Sequence, residues 1–201
     1  DLAAQRAAAI SKEMRAMGIH MYLGPTADLA TEPRWYRVQD TFGEDPALAR
    51  DFVKATVDAL QSTTDSSGTD LGWGYQSIGA VLTHWPGAGP SESGRAGSRW
   101  WGAYNVYPGG QFKTHLIPFV DGGLDLYGLT KTAAGVMTSY AIVWEENGED
   151  LGSSFSFKQN QLLRSYGFDG IIYADWDIHD ALGHGSNVQY LAPHERILLS
   201  I

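Results

Sequence analysis

The 201-residue sequence contains no cysteine, which excludes disulfides and Cys-ligated zinc. It leaves the compartment open, because a secreted protein can also lack cysteine. Basic residues are scarce as well: 14 Lys and Arg stand against 23 Asp and Glu, a formal net charge of −9. With a pI near 5.0, this composition argues against a nucleic-acid partner, whose phosphates require basic patches. No run approaches eighteen consecutive apolar residues, so no membrane span and no membrane partner are expected. The opening stretch, DLAAQRAAAISKEMRAMG, is amphipathic and charged throughout and does not read as a secretory leader. A chain that starts at Asp1 without Met fits one from which an upstream segment has been removed.

What is present is ordinary in bulk and unusual in detail. A hydrophobic content of 43% with 18% charged residues is that of a globular protein, and the length suits one domain or one and a half. The sequence is rich in glycine, with 24, and in rings, with seven Trp, ten Tyr and seven Phe. Trp and Tyr offer flat apolar faces with one polar handle. Such rings suit sugar faces, and aromatic cores give the same count.

Along the chain, apolar residues Leu2, Ala9, Ile10, Met14 and Met17 recur at helical spacing before Gly18. IHMYLGP (19–25) reads as a strand, and Asp45-Pro46 as the N-cap and first residue of a helix running to about Ser62. That helix would present Phe52, Val53, Val57 and Leu60 on one face. SIGAVLTHW (77–85), GVMTSYAIVW (135–144) and GIIYADW (170–176) read as further strands. FKTHLIPFVDG (112–122) and FSFKQNQLLRSYG (155–167) read as helices, the first kinked or started by Pro118, and Pro193 opens another. The alternation implies a parallel sheet with right-handed crossovers. Long polar and aromatic loops follow the strands, notably PGAGPSESGRAGSRWWGAYNVYPGG (86–110). Loops in that position form the active face of a (β/α) barrel. Four strands make about half of such a barrel, which typically takes about 250 residues. The expected fold is therefore α/β, a partial (β/α)8 TIM-barrel-like domain with parallel strands, with residues 1–201 as a single partial domain.

Asp175, at the end of its strand in IIYADWDIHD (171–180), is placed for a nucleophile or base in a β/α pocket, or for a turn or N-cap carboxylate. The adjoining Trp176 suits a sugar platform or a core. His84 also ends a strand and is either a hydrogen-bonding partner for a substrate hydroxyl or a structural histidine. Arg37 could grip vicinal oxygens or a carboxylate, or pair with Asp40, Glu44 or Asp45. His179, Asp180 and His184 match no specific zinc spacing, and no metal is expected. GAGPSESG lacks the Lys-Ser/Thr of a phosphate loop and the GxGxxG pattern, so nucleotide binding is not expected and no cofactor is implied.

Taken in order, LGPTADLATEPRWYRVQDTFGEDPALA, VLTHWPGAGP, YNVYPGGQFKTHLIPFVDG, GVMTSY and LLRSYGFDGIIYADW resemble segments of glycoside hydrolase family 3, the β-glucosidase and exo-β-glucanase family. The first resembles its arginine-bearing segment and "EDP" helix start, the second its "KHFPG" strand end, and the last its "SDW" or "TDW" nucleophile strand. The resemblance covers roughly residues 5–185. It implies a fragment-like barrel, a β-linked oligosaccharide or glucoside as partner, and a periplasmic or secreted location. It also implies a retaining mechanism in which Asp175 is the nucleophile and a second carboxyl group, about 5–5.5 Å away, is acid and then base. By the same resemblance Arg37, His84 and Tyr140 bind or orient the sugar, and Trp176 forms part of the subsite wall.

The sequence departs from the family pattern at three of these places. Thr83 stands where the family has a sugar-holding lysine, and GRAGSRW (94–100) stands where related chains read "GRDSHF", so that Ala96 and Ser98 replace an acidic and a basic side chain. The family's early barrel strands, and the second domain that supplies its acid/base glutamate, have no counterpart in these 201 residues. Two expectations follow. One is the barrel part of a retaining β-glycosidase. The other is a catalytically degenerate carbohydrate-binding or assembly module on the same barrel fragment. Open sheet edges would invite either self-association or a missing remainder of the barrel.

Overall fold

Residue patterning along the first helix differs in detail from its apolar count. The computed structural model, which describes residues 2–179, 184–185 and 187–199, has α1 over Leu2–Ala16. Its buried face is Ala7, Ile10, Ser11 and Met14, whereas Leu2, Ala9 and Met17 face outward. Ser11 joins Ile10 and Met14 on that face because its hydroxyl is spent on distant carbonyls, those of Leu60 (3.0 Å) and Gln76 (2.5 Å). A hydroxyl with its bonds made costs little to bury.

The β-strands are β1 (Met21–Thr26), β2 (Gly79–Trp85), β3 (Gly135–Thr138) and β4 (Ile171–Tyr173). They form one parallel sheet in the order β1-β2-β3-β4. The remaining helices are α2 (Pro46–Gln61), α3 (Phe112–Ile117), α4 (Trp144–Asn147), α5 (Phe157–Ser165) and α6 (Pro193–Leu199). The fold is α/β and partial-barrel-like, as the alternation of strands and helices implies. Every residue of β2 and β3 is buried, the pattern of strands covered on both faces. Strands β1 and β4 are partly exposed, with Leu23 at 64% and Ile171 at 56%, because they are the edges of an open sheet.

Helix α2 starts where the sequence says it should: the Asp45 carboxylate accepts from Leu48 N at 2.7 Å, and Pro46 fills the first turn. Val53, Val57 and Leu60 enter the main core beside Leu82, Trp85, Phe119 and Val136. Phe52 does not; it stacks on Phe42 with ring centroids 5.0 Å apart. At Pro118 the missing N–H breaks the regular ladder, and α3 passes into a wider π-type turn over Pro118–Gly123.

Two strands are shorter than their apolar runs. The run 135–144 is a strand only to Thr138: Ser139 N still donates to Trp85 O of β2, but Ile142 then bonds to Ala103 and Asn105 of the loop after β2 and bridges to Gly152, outside the sheet. The run 170–176 leaves the ladder after Tyr173, so Ala174 and Asp175 lie beyond the strand. The strand starts are fixed by Gln61, which is fully buried. Its Oε1 accepts from Ala80 N (3.1 Å) and Ala134 N (2.8 Å), and its Nε2 donates to Thr132 O (2.9 Å) and Thr130 Oγ1 (3.2 Å).

Candidate active site

The C-terminal ends of four adjacent parallel strands bring polar side chains to one place, as expected for this architecture. Asp28 follows β1, His84 lies at the end of β2, Tyr140 follows β3 and Asp175 follows β4. Arg37 arrives from the loop after β1. Arg37, His84, Tyr140 and Asp175 line one cleft together with Trp35, Tyr36, Ala88, Gly97, Ser98, Ser139 and Ala141. The indole of Trp176 is not in that lining and is 83% exposed. Its backbone belongs to the site nevertheless: Trp176 N donates to Asp175 Oδ1 and Trp176 O accepts from the Tyr140 hydroxyl, each at 2.6 Å.

Asp28 was not singled out in the sequence, although it obeys the rule that marked Asp175, a carboxylate just past a strand end. It is fully buried. Its Oδ2 lies 2.8 Å from His84 Nδ1, and its Oδ1 accepts from the backbone N–H groups of His84 (3.2 Å) and Ala88 (2.7 Å). The loops after β1 and β2 can come this close because Gly89 has no side chain: a Cβ there would lie 1.7 Å from Leu29 O. Ala27 N, donating to Thr83 O at 2.7 Å, extends the pairing of the two strands to the edge of the site.

Arg37 is held from two sides, by Asp40 Oδ2 on Nε (2.9 Å) and by His84 Nε2 on Nη1 (3.0 Å). Burial opposes its charge, but the hydrogen bond to Asp40 and the charges of Asp28 and Asp40 outweigh that, and its pKa is raised. His84 Nε2 also lies 3.8 Å from Asp175 Oδ2, too long for a hydrogen bond. Burial, followed by the charge of Asp175 and a hydrogen bond to it, pushes the Tyr140 phenol well above its ordinary value. Tyr140 therefore remains a donor beside the carboxylate.

The cleft floor encloses only about 40 Å³, room for about one water, so it is the base of a subsite and not an enclosed sugar pocket. Two larger grooves of about 620 and 640 Å³ flank the sheet, and the first shares Arg37 with the cleft. One is bordered by α1, β1 and Phe42, the other by Ile172, α5 and Leu199, beside the two open edges of the sheet. Among the described residues lining the cleft, Asp175 is the one carboxylate.

The three departures fall differently. Ser98 lines the cleft, Thr83 is buried at 4% exposure, and Ala96 is not in the lining. No cluster of three metal-ligating side chains occurs among the described residues. His179 packs its ring edge-on to Phe155, His184 is buried, and Asp180 lies outside the described residues.

A model of the glycosyl hydrolase family 3 N-terminal domain matches residues 1–195. The periplasmic β-glucosidase/β-xylosidase of Dickeya chrysanthemi is 36% identical over 174 residues, covering 83% of this chain and 25% of that protein. β-Glucosidase C of Emericella nidulans is 34% identical over 169 residues, again 83% of this chain and 25% of the relative. The chain thus spans about a quarter of the length of these curated relatives. Among solved structures, a β-glucosidase from Listeria innocua in complex with isofagomine aligns with a TM-score of 0.70 at 24% identity, over 90% of this chain and 23% of that one. This last likeness supports the barrel fold. On the match to residues 1–195 and the identity to these relatives, the chain belongs to glycosyl hydrolase family 3, as a β-glucosidase-like N-terminal domain.

Proposed function

We propose that the chain is the nucleophile-bearing part of a retaining β-glycosidase that hydrolyses terminal β-glucosyl residues, with all 201 residues forming one partial barrel domain. The observation that carries this reading is the convergence of Asp175, Arg37, His84 and Tyr140 in one cleft at the strand ends. An Asp175 oxygen attacks the anomeric carbon, the glycosidic C–O bond breaks, and the leaving oxygen departs with the electron pair and takes up a proton. Water then attacks the glycosyl-enzyme from the opposite face, giving up a proton to the second carboxyl group, now the base, as the bond to Asp175 breaks and the configuration is restored. Arg37 and His84 orient the sugar hydroxyls, Tyr140 steadies the Asp175 turn, and Trp176 supplies an apolar wall.

The proton donor for the leaving oxygen is a second carboxyl group about 5–5.5 Å from the first in retaining enzymes. Asp28 does not suit that role, because both its oxygens accept hydrogen bonds beneath His84. With Asp28 set aside, no second carboxylate lines the cleft among the described residues, so activity is expected first on donors whose leaving group needs no protonation. With 2,4-dinitrophenyl β-glucoside the chain should release one equivalent of phenolate rapidly and then turn over slowly. Azide, which needs no general base, should accelerate the second step and give β-glucosyl azide. Phenolate release no faster than that of Asp175→Asn would overturn the proposal.

Among the described residues, the single carboxylate lining the cleft, with Ser98 beside it, favours a second reading, a carbohydrate-binding module without turnover. Calorimetric titration with gluco- and xylo-oligosaccharides tests it. Turnover of the aryl glucoside, abolished by Asp175→Asn, would exclude it.

A further inference from the structure

Asp28, His84 and Arg37 form a chain of hydrogen bonds whose directions are set by chemistry. A guanidinium has no acceptor. The 3.0 Å contact from Arg37 Nη1 to His84 Nε2 therefore requires a lone pair on Nε2. The ring proton then resides on Nδ1, where Asp28 Oδ2 accepts it at 2.8 Å. The carboxylate is fixed in turn by the backbone N–H groups of His84 and Ala88 on its other oxygen. Asp28 is wholly buried and the His84 side chain is 8% exposed, so water does not compete for either end of this contact.

From this we infer that Asp28 is a positioning residue: it holds His84 as the Nδ1–H tautomer, and His84 in turn anchors the Arg37 guanidinium over the Asp175 cleft. His84 thus meets its surroundings at Nε2 as an acceptor. With Nε2 accepting, the 3.8 Å approach to Asp175 Oδ2 is not an ion pair. A sugar hydroxyl that takes the place of Arg37 at Nε2 would donate to that one lone pair while the freed guanidinium donates to its oxygen, so the tautomer sets the polarity with which the hydroxyl is read. This functional part rests on the proposed glycosidase reading; the tautomer itself does not.

Asp28→Asn gives a sharp test because it is isosteric. The two backbone donors on Oδ1 retain the amide oxygen there, which turns the amide NH2 toward His84 Nδ1. A donor in that place moves the ring proton to Nε2, where it opposes the Arg37 donor. Nitrogen-15 spectra of the histidine ring in the 201-residue chain read this directly. The expected wild-type pattern for His84 is a protonated Nδ1 and an unprotonated Nε2, inverted in Asp28→Asn at an unchanged circular dichroism spectrum. A merely structural aspartate would leave the tautomer in place. A wild-type ring protonated at Nε2, or an Asp28→Asn ring that keeps its proton on Nδ1, overturns the inference. The wild-type spectrum decides alone if the variant does not fold. Loss of phenolate release with the tautomer pattern intact would count against the glycosidase reading and leave Asp28 in its role.

Discussion

Tyr140 and His115 show how burial sets the protonation of single residues around this site. The Tyr140 hydroxyl bonds to Trp176 O at 2.6 Å and lies beside Asp175, while burial and that carboxylate keep it protonated. Tyr140→Phe removes a hydrogen bond at the turn that aims the nucleophile. A bond to a neutral carbonyl contributes about 0.5–1.5 kcal/mol, so phenolate release should slow by about 2- to 10-fold with little loss of fold stability. An unchanged rate would remove Tyr140 from the site. His115 lies under the same loops, 3% exposed, with Tyr107 edge-on at 5.2 Å. Burial pushes its pKa down from 6.5 to about 4, with Asp28 opposing. Between those values the unfolded chain binds a proton that the folded chain refuses. Stability present above pH 6.5 is therefore lost as the pH falls toward 4, by up to about 3 kcal/mol. Urea unfolding across that range should show the slope, and His115→Gln should flatten it; equal slopes would contradict the assignment.

At the scale of elements, the sequence was most readable where local chemistry decides. Asp45-Pro46 is such a place, since a cap and a pre-set φ act within one turn. It was least readable where a tertiary partner decides. Ser11 is buried by carbonyls 49 and 65 residues away, and β3 stops at Thr138 because the loop after β2 captures the chain. Apolar runs carry no mark of such capture. Gln61 is another case, a polar residue at the end of an amphipathic helix whose partners are Ala80, at the start of β2, and Ala134, just before β3. Gln61→Leu would leave the buried Ala80 N–H and the part-buried Ala134 N–H without acceptors. The expected loss is about 2–4 kcal/mol, measured by chemical denaturation, against less than 1 kcal/mol for an exposed helix position. A loss in the lower range would show that water reaches the strand starts.

For the whole molecule, the open sheet governs behaviour. The alternation of strands and helices announced a parallel sheet, and the strand-end rule located most of the cleft. The coming together of Asp28, His84 and Arg37 was not readable, because it depends on Gly89 letting two loops approach. Strands β1 and β4 each present an edge with unpaired backbone groups, flanked by grooves of about 620 and 640 Å³. The isolated chain should therefore associate in solution, and light scattering after size exclusion should show mass rising with concentration. A monomer at every concentration would contradict this account of the edges.

The central claim, that Asp175 attacks the anomeric carbon, is tested most directly by trapping the bond. The chain incubated with 2,4-dinitrophenyl 2-deoxy-2-fluoro-β-glucoside should gain one fluoroglucosyl mass. Peptide mapping should place it on Asp175, and Asp175→Asn should not gain it. A folded chain that gains no adduct, or gains it on another residue, would contradict the account.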